Sequence, residues 1–183
     1  YWDVAYSGTS TADYNAIPVQ GLHDNNFWVI DSFCKQCKMH VAIAWMCEFQ
    51  LALPKTVVVH WVFEAQFWND AVKSAIREVE RSYNIKLNII KRDRPKINKY
   101  DRILQLHPYY QNSRIFYNEK LKPKNDHQIG ISQLLGIEPG YKTKDDWPDA
   151  HQGGIAELEK YVNFNTGGQA DFLSGNYTPK YRW

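Results

Sequence analysis

The sequence predicts an α/β fold, a mixed sheet of three antiparallel strands followed by parallel strands, flanked by helices. Two observations carry this. Short segments with strand character come first, at residues 1–5, 16–22 and 27–33, and turn residues separate them. A continuous apolar run at residues 56–63 then stands between two helical patterns, at residues 38–51 and 69–83. Strands that first follow one another and then alternate with helices build a mixed sheet covered by helices. Ligands of such sheets gather at strand ends.

The elements follow in order. Residues 1–5 read as the end of a strand with Asp3 inside it, and Ser7-Gly-Thr-Ser-Thr-Ala-Asp13 is a turn-rich loop. His23-Asp-Asn-Asn26 makes a hairpin turn between the next two strands. Residues 38–51 show helical spacing, with Val41, Ala44, Trp45, Phe49 and Ala52 near one face, although the segment is apolar nearly all round; Pro54 ends it. Val57-Val-Val-His-Trp-Val-Phe63 reads as a buried central strand that stops at Glu64. Residues 69–83 form a charged amphipathic helix with Val72, Ile76, Val79 and Tyr83 inward. A short strand at 87–90 leads into a basic loop. Residues 100–106 read as a helix stopping before Pro108, 114–117 as a strand, and 128–135 as a helix closed by Gly136. The last helix begins at Asp146 as N-cap, with Pro148 in its first turn, and turns Ala150, Ile155, Leu158 and Val162 inward.

Composition limits what the chain can be. With 183 residues, 44 % hydrophobic and 15 % aromatic, it is long and apolar enough for one core and is not a disordered chain. We expect one domain over residues 1–165 and an irregular tail over 166–183. The chain opens on Tyr1 without an initiator Met and reads as part of a longer protein. No apolar run approaches the ~20 residues of a membrane helix. The net charge of +2 is nearly neutral, but Lys91, Arg92, Arg94, Lys96, Lys99 and Arg102 crowd one stretch. Such a run is either a solvated face or a phosphate-contacting surface. Cys34, Cys37 and Cys47 are too few for a disulfide framework and read as buried or free thiols rather than zinc ligands.

The acids stand out most. Asp145, Asp146 and Asp149 crowd the start of the last helix, where they cap it and favour its dipole or else complete a divalent-cation site. Asp3 lies in the first strand and Glu64 ends the central one. A carboxylate in or beside a buried strand is costly unless paired or metal-bound. Oxygen ligands without His or Cys suit Mg²⁺ or Mn²⁺, and two such ions held by three or four acids suit phosphodiester hydrolysis. His107 and His151 are further candidates near these acids.

Several segments together resemble a known family. Asp3-Val-Ala-Tyr-Ser-Gly-Thr-Ser-Thr-Ala-Asp13-Tyr-Asn-Ala is similar to a first-strand acid followed by a Gly/Ser/Thr loop and Asp-Tyr-x-Ala. The apolar strand ending in Glu64 comes next. Lys99-Tyr-Asp-Arg-Ile103, Leu106-His-Pro108 and Ser113-Arg-Ile-Phe116 are similar to Lys-x-x-Arg-Ile, Leu-x-Pro and Gly-x-Ile/Val-x-Phe. Lys144-Asp-Asp-Trp-Pro-Asp-Ala150 is similar to Asp-Asp-x-x-Asp-Ala. Over roughly residues 1–162 the chain thus resembles the C-terminal nuclease domain of the tailed-bacteriophage terminase large subunit, of the ribonuclease H-like superfamily. Val4 and Ser113 depart from the family's frequent Pro and Gly, and the sequence carries no Walker A motif.

The resemblance implies a ribonuclease H-like sheet and a metal-dependent endonuclease that cuts double-stranded, concatemeric viral DNA during genome packaging. It implies two Mg²⁺ or Mn²⁺ ions. Asp3, Glu64 and Asp146 would be the principal ligands, with Asp145 beside them and Asp13 and Asp149 auxiliary. Lys91, Arg92, Arg94, Lys96, Lys99 and Arg102 would hold DNA phosphates. The implied partners are a terminase ATPase domain, the portal and the small terminase subunit, with no membrane, in the host cytoplasm. Two alternatives stay open: a Holliday-junction resolvase-like nuclease, which Asp146 and Asp149 three residues apart would suit, and a non-catalytic DNA-binding or assembly module of a packaging motor.

Overall fold

The computed structural model describes residues 1–6, 9, 12–93 and 96–162. Arg94, the expected boundary at residue 165 and the expected tail lie outside the described residues. The strands are β1 (Asn15–His23), β2 (Asn26–Lys35), β3 (Trp61–Glu64), β4 (Ile89–Arg92) and β5 (Ile115–Tyr117). The helices are α1 (Met39–Ala52), α2 (Asp70–Tyr83), α3 (Lys99–Leu104), α4 (His107–Gln111), α5 (Asn125–Leu135) and α6 (Asp146–Glu159). β1 and β2 pair antiparallel, β5 joins β2 in parallel, and β3 and β4 form a separate parallel pair.

Residues 1–3 join the two groups. The Trp2 amide donates to Val62 in β3, and Asp3 exchanges both backbone bonds with Ala16 in β1. The strands therefore run β4, β3, the first residues, β1, β2, β5. The result is a mixed parallel and antiparallel α/β arrangement flanked by helices. α1 and α2 cover one face over Ile17, Phe33, Ile43, Met46, Phe63 and Val72. α5 and α6 cover the other over Ala16, Val29, Trp147 and Ala150.

A bulge explains why β2 serves both faces. Val19 pairs with Asp31 and Gln20 with Val29, so Ile30 is an extra residue. One extra residue reverses the side-chain alternation. Val29 and Cys34 consequently pack toward α6 while Phe33 packs toward α1.

Several expectations are corrected. The apolar run at 56–63 is a strand only from Trp61; Val57 and Val58 are 49 % and 69 % exposed. β4 offers four residues to pair with, so the earlier valines have no ladder. In α1 the buried residues are Met39, Ala42, Ile43, Met46 and Cys47, whereas Val41 is exposed; a helix apolar nearly all round gives periodicity no face to choose. β4 starts two residues later than expected and takes in Lys91 and Arg92, which are therefore strand residues. His107 and Pro108 open α4 instead of ending a helix. Asn69, expected inside α2, is its N-cap, accepting from Val72 N at 3.0 Å.

Candidate acidic site

Three chain segments bring carboxylates to one end of the sheet. The Trp2–Phe63 bridge aligns the first residues with β3, so Asp3 and Glu64 lie at the same strand ends. Tyr1 Oη donates to Glu64 Oε1 at 3.3 Å and Gln66 Nε2 to Glu64 Oε2 at 2.7 Å. α6 packs on β1, and its first residue, Asp146, accepts from the Tyr14 amide at 3.1 Å. Close helix packing depends on Gly130 in α5, where a Cβ would lie 2.6 Å from the Trp147 ring.

The expected cap is corrected. Asp145 is the N-cap and Asp146 the first helical residue, and the Asp145 side chain makes no cap bond. Its carboxylate instead accepts from Tyr141 Oη and pairs with Lys99. The acids at this helix start are thus turned toward one another's surroundings rather than toward its free amides.

Two cations from α3 enter the group. Lys99 and Arg102 lie three residues apart and share one side of that helix. Lys99 Nζ is 2.8 Å from Asp145 Oδ1, 3.4 Å from Asp149 Oδ2 and 3.7 Å from Asp3 Oδ2. Arg102 Nη2 is 2.7 Å and 2.9 Å from the two Asp149 oxygens, and Nη1 is 4.0 Å from Glu64. Arg102 is 3 % exposed, and its Nε has no hydrogen-bond partner among the described residues.

Burial dominates the electrostatics. It pushes the Asp3 carboxyl up to about 8, opposed by Lys99 and seconded by Asp149, Asp146 and Glu64. Burial also raises Asp146, against the Tyr14 amide and Lys99, and raises Asp149, against Lys99 and Arg102. For Lys99, burial acts to lower the ammonium, but Asp3, Asp149 and Asp145 outweigh it and hold the group above its usual range.

The remaining expected residues are spread out. Asp13 is exposed and pairs with Lys144 at 2.6 Å, on the rim. Lys91 Nζ lies 5.6 Å from the Trp68 ring centre, and Arg92 Nε is 2.9 Å from Glu157 of α6. Lys96 is exposed. The basic run is therefore not one phosphate-facing loop: Lys99 and Arg102 point into the acids, and Arg92 is engaged with α6. The three cysteines are free, with Cys34 and Cys47 buried.

α6 presents a second polar cluster on its other side. Trp147 Nε1 donates to Ser32 Oγ at 2.8 Å, and the Trp147 amide donates to Gln133 Oε1 at 2.8 Å. His151 is fully buried; Gln20 Nε2 is 2.7 Å from its Nδ1 and Tyr110 Oη 2.9 Å from its Nε2. An amide nitrogen only donates, so Nδ1 accepts and Nε2 carries the proton toward Tyr110. Burial pushes His151 down to about 3, which keeps it neutral. His107 is exposed. Neither histidine joins the acids.

Asp3, Glu64, Asp145 and Asp146 supply only hard oxygen donors, which fit Mg²⁺ or Mn²⁺ chemically. Their excess of negative charge over Lys99 and Arg102 fits a further cation as well. Among the described residues no group of three or more His, Cys, Asp or Glu side chains stands in metal-holding geometry; the carboxylates are gathered around Lys99. No helix among the described residues is long and apolar enough to cross a membrane. No protein-family model matches the chain, and no curated protein matches it.

Proposed function

We propose that this chain is a ribonuclease H-like, divalent-cation-dependent endonuclease for double-stranded DNA, of the kind found in tailed-phage terminase large subunits. One observation carries the reading. Acids far apart in sequence, Asp3, Glu64 and Asp145/Asp146, meet at the ends of adjoining strands and a helix start. The strand order, with the first residues between β1 and β3, also supports it.

Asp3, Glu64 and Asp145 or Asp146 would hold the Mg²⁺ or Mn²⁺. Such ions, when bound, supply an activated water and stabilise the departing oxygen of a phosphodiester. The chain's own residues fix the donors. Tyr14 N pins Asp146, Tyr141 fixes Asp145, and Tyr1 with Gln66 orients Glu64. Arg102 neutralises Asp149 and so leaves the other acids as the negative face of the site. Exposed Lys96 and half-free Lys91 offer charge for backbone phosphates without reading sequence. In this reading packaging partners, ATPase domain, portal and small subunit, direct the cut.

The non-catalytic binding module is the second reading. It is favoured by the ion pairs that Lys99 and Arg102 already make with the acids. Supercoiled-plasmid cleavage with Mn²⁺, Mg²⁺ or EDTA separates the two, with Asp3→Ala as the paired variant. Linearisation that needs the cation and disappears in Asp3→Ala supports the nuclease. Absence of cleavage by folded protein, with salt-sensitive DNA binding that survives Asp3→Ala, supports the module.

A further inference from the structure

The two cations at the acidic site are held in different ways. Arg102 is 4 % exposed at its side chain and gripped by both oxygens of Asp149. It is a fixed strut, since its buried Nη2 lies between both oxygens of one carboxylate and its Nη1 faces Glu64. Lys99 is 27 % exposed at its side chain and touches one oxygen each of Asp145, Asp149 and Asp3, at distances rising from 2.8 to 3.7 Å. It starts α3 and reaches inward on a flexible four-carbon stem. Its ammonium stands among carboxylates from two distant segments, Asp3 at the beginning of the chain and Asp145 and Asp149 near α6. A divalent cation drawing on Asp3 and Asp145 competes with the Lys99 ammonium for the same two carboxylates.

We propose that Lys99 is the resident counter-cation of the acidic site, held between Asp3, Asp145 and Asp149 in the free protein and displaced toward solvent when a divalent cation binds. This rests on the cation-dependent reading above. Lys99 then has two opposed effects. It keeps the three acids together when no metal is present, and it weakens metal binding because it must be moved.

Calorimetric titration with Ca²⁺ of wild type, Lys99→Met and Lys99→Arg tests this, together with per-residue lysine acetylation read by mass spectrometry in EDTA and in Ca²⁺. Lys99→Met binds Ca²⁺ about tenfold more tightly, while Lys99→Arg stays within about threefold of wild type. In wild type, Lys99 acetylation rises several-fold with Ca²⁺ relative to the surface lysines. Equal or weaker Ca²⁺ binding by folded Lys99→Met overturns the proposal. So does unchanged Lys99 reactivity at a Ca²⁺ concentration that saturates wild type, and this arm decides alone if Lys99→Met does not fold. Failure of wild type to bind Ca²⁺, Mg²⁺ or Mn²⁺ overturns the cation-dependent reading and this proposal with it. Binding without displacement overturns only the role of Lys99.

Discussion

α6 carries two buried polar groups of opposite kind on the same turns. Asp146 and Asp149 face Tyr14, Lys99 and Arg102, while Trp147 and His151 face Ser32, Gln133, Gln20 and Tyr110. The second group joins uncharged partners and, although Gln20 Oε1 has no hydrogen-bond partner among the described residues, carries no net charge. The first does not balance: even with a proton on Asp3, the carboxylates of Glu64, Asp145, Asp146 and Asp149 outnumber Lys99 and Arg102. A neutral network of this kind serves stability and packing. A buried group with surplus charge leaves work for something outside it.

The sharpest way to break the contrast is Asp149→Ala. It strands the buried Arg102 guanidinium, and we expect a loss of about 3–5 kcal/mol in denaturant unfolding. Pairing Asp149→Ala with Arg102→Met should recover much of that loss. A full loss in the double variant would mean the acid is not acting through Arg102. Gly130→Ala attacks the neutral side by steric means. Its Cβ would meet the Trp147 ring, costing about 3 kcal/mol, measured as a lowered unfolding midpoint. A midpoint at the wild-type value would mean that α5 can shift away from α6 at no cost.

His151→Asn should cost about 2 kcal/mol at pH 7, because Gln20 and Tyr110 lose their partner. Its pH profile is more informative. Folded His151 takes a proton near 3, whereas an unfolded histidine takes one near its ordinary 6.5. The unfolded chain therefore binds the proton first, and wild-type stability falls as pH drops through that window. Urea unfolding between pH 7 and 4 should show a shallower acid limb in His151→Asn; parallel limbs would refute a buried neutral imidazole.

The smallest effect comes from the turn that follows Tyr110 of the neutral group. Ser113 lies between α4 and β5 with φ at 52°, a left-handed conformation that glycine adopts without strain. Ser113→Gly should raise stability by about 0.5–1 kcal/mol, seen as a slightly higher thermal midpoint. No gain would mean that the freedom glycine gives the unfolded chain cancels the relief.

How much of this was legible in the sequence follows the same division. Asp3, Glu64, Asp145, Asp146 and Asp149 announce themselves as charges beside apolar segments, and the structure brings them to one end of the sheet. Gln20, Ser32, Tyr110, Gln133 and His151 carry no pattern. Neutral polar residues show their bonding only when the fold brings their partners near. Arg102 reads as a phosphate-holding cation of the basic stretch, and no local signal tells of Asp149 47 residues away. The mixed order of strands and helices was visible, but the bulge at Ile30 was not, since both faces of β2 are apolar. Val57 and Val58 lie outside the ladder, and an apolar run does not say where its pairing partner ends.

The first residues close the sheet, and this sets an order in time. β1 and β2 are joined by a tight turn and can pair locally. The seam through Trp2 and Asp3 needs β3 as well, and Tyr1 and Glu64 are 63 residues apart. Closing that distance costs chain entropy before any contact repays it. Asp3 sits on the seam, so the acidic centre comes into being only when both halves of the sheet have met. An unfinished chain holds the same acids and has no centre.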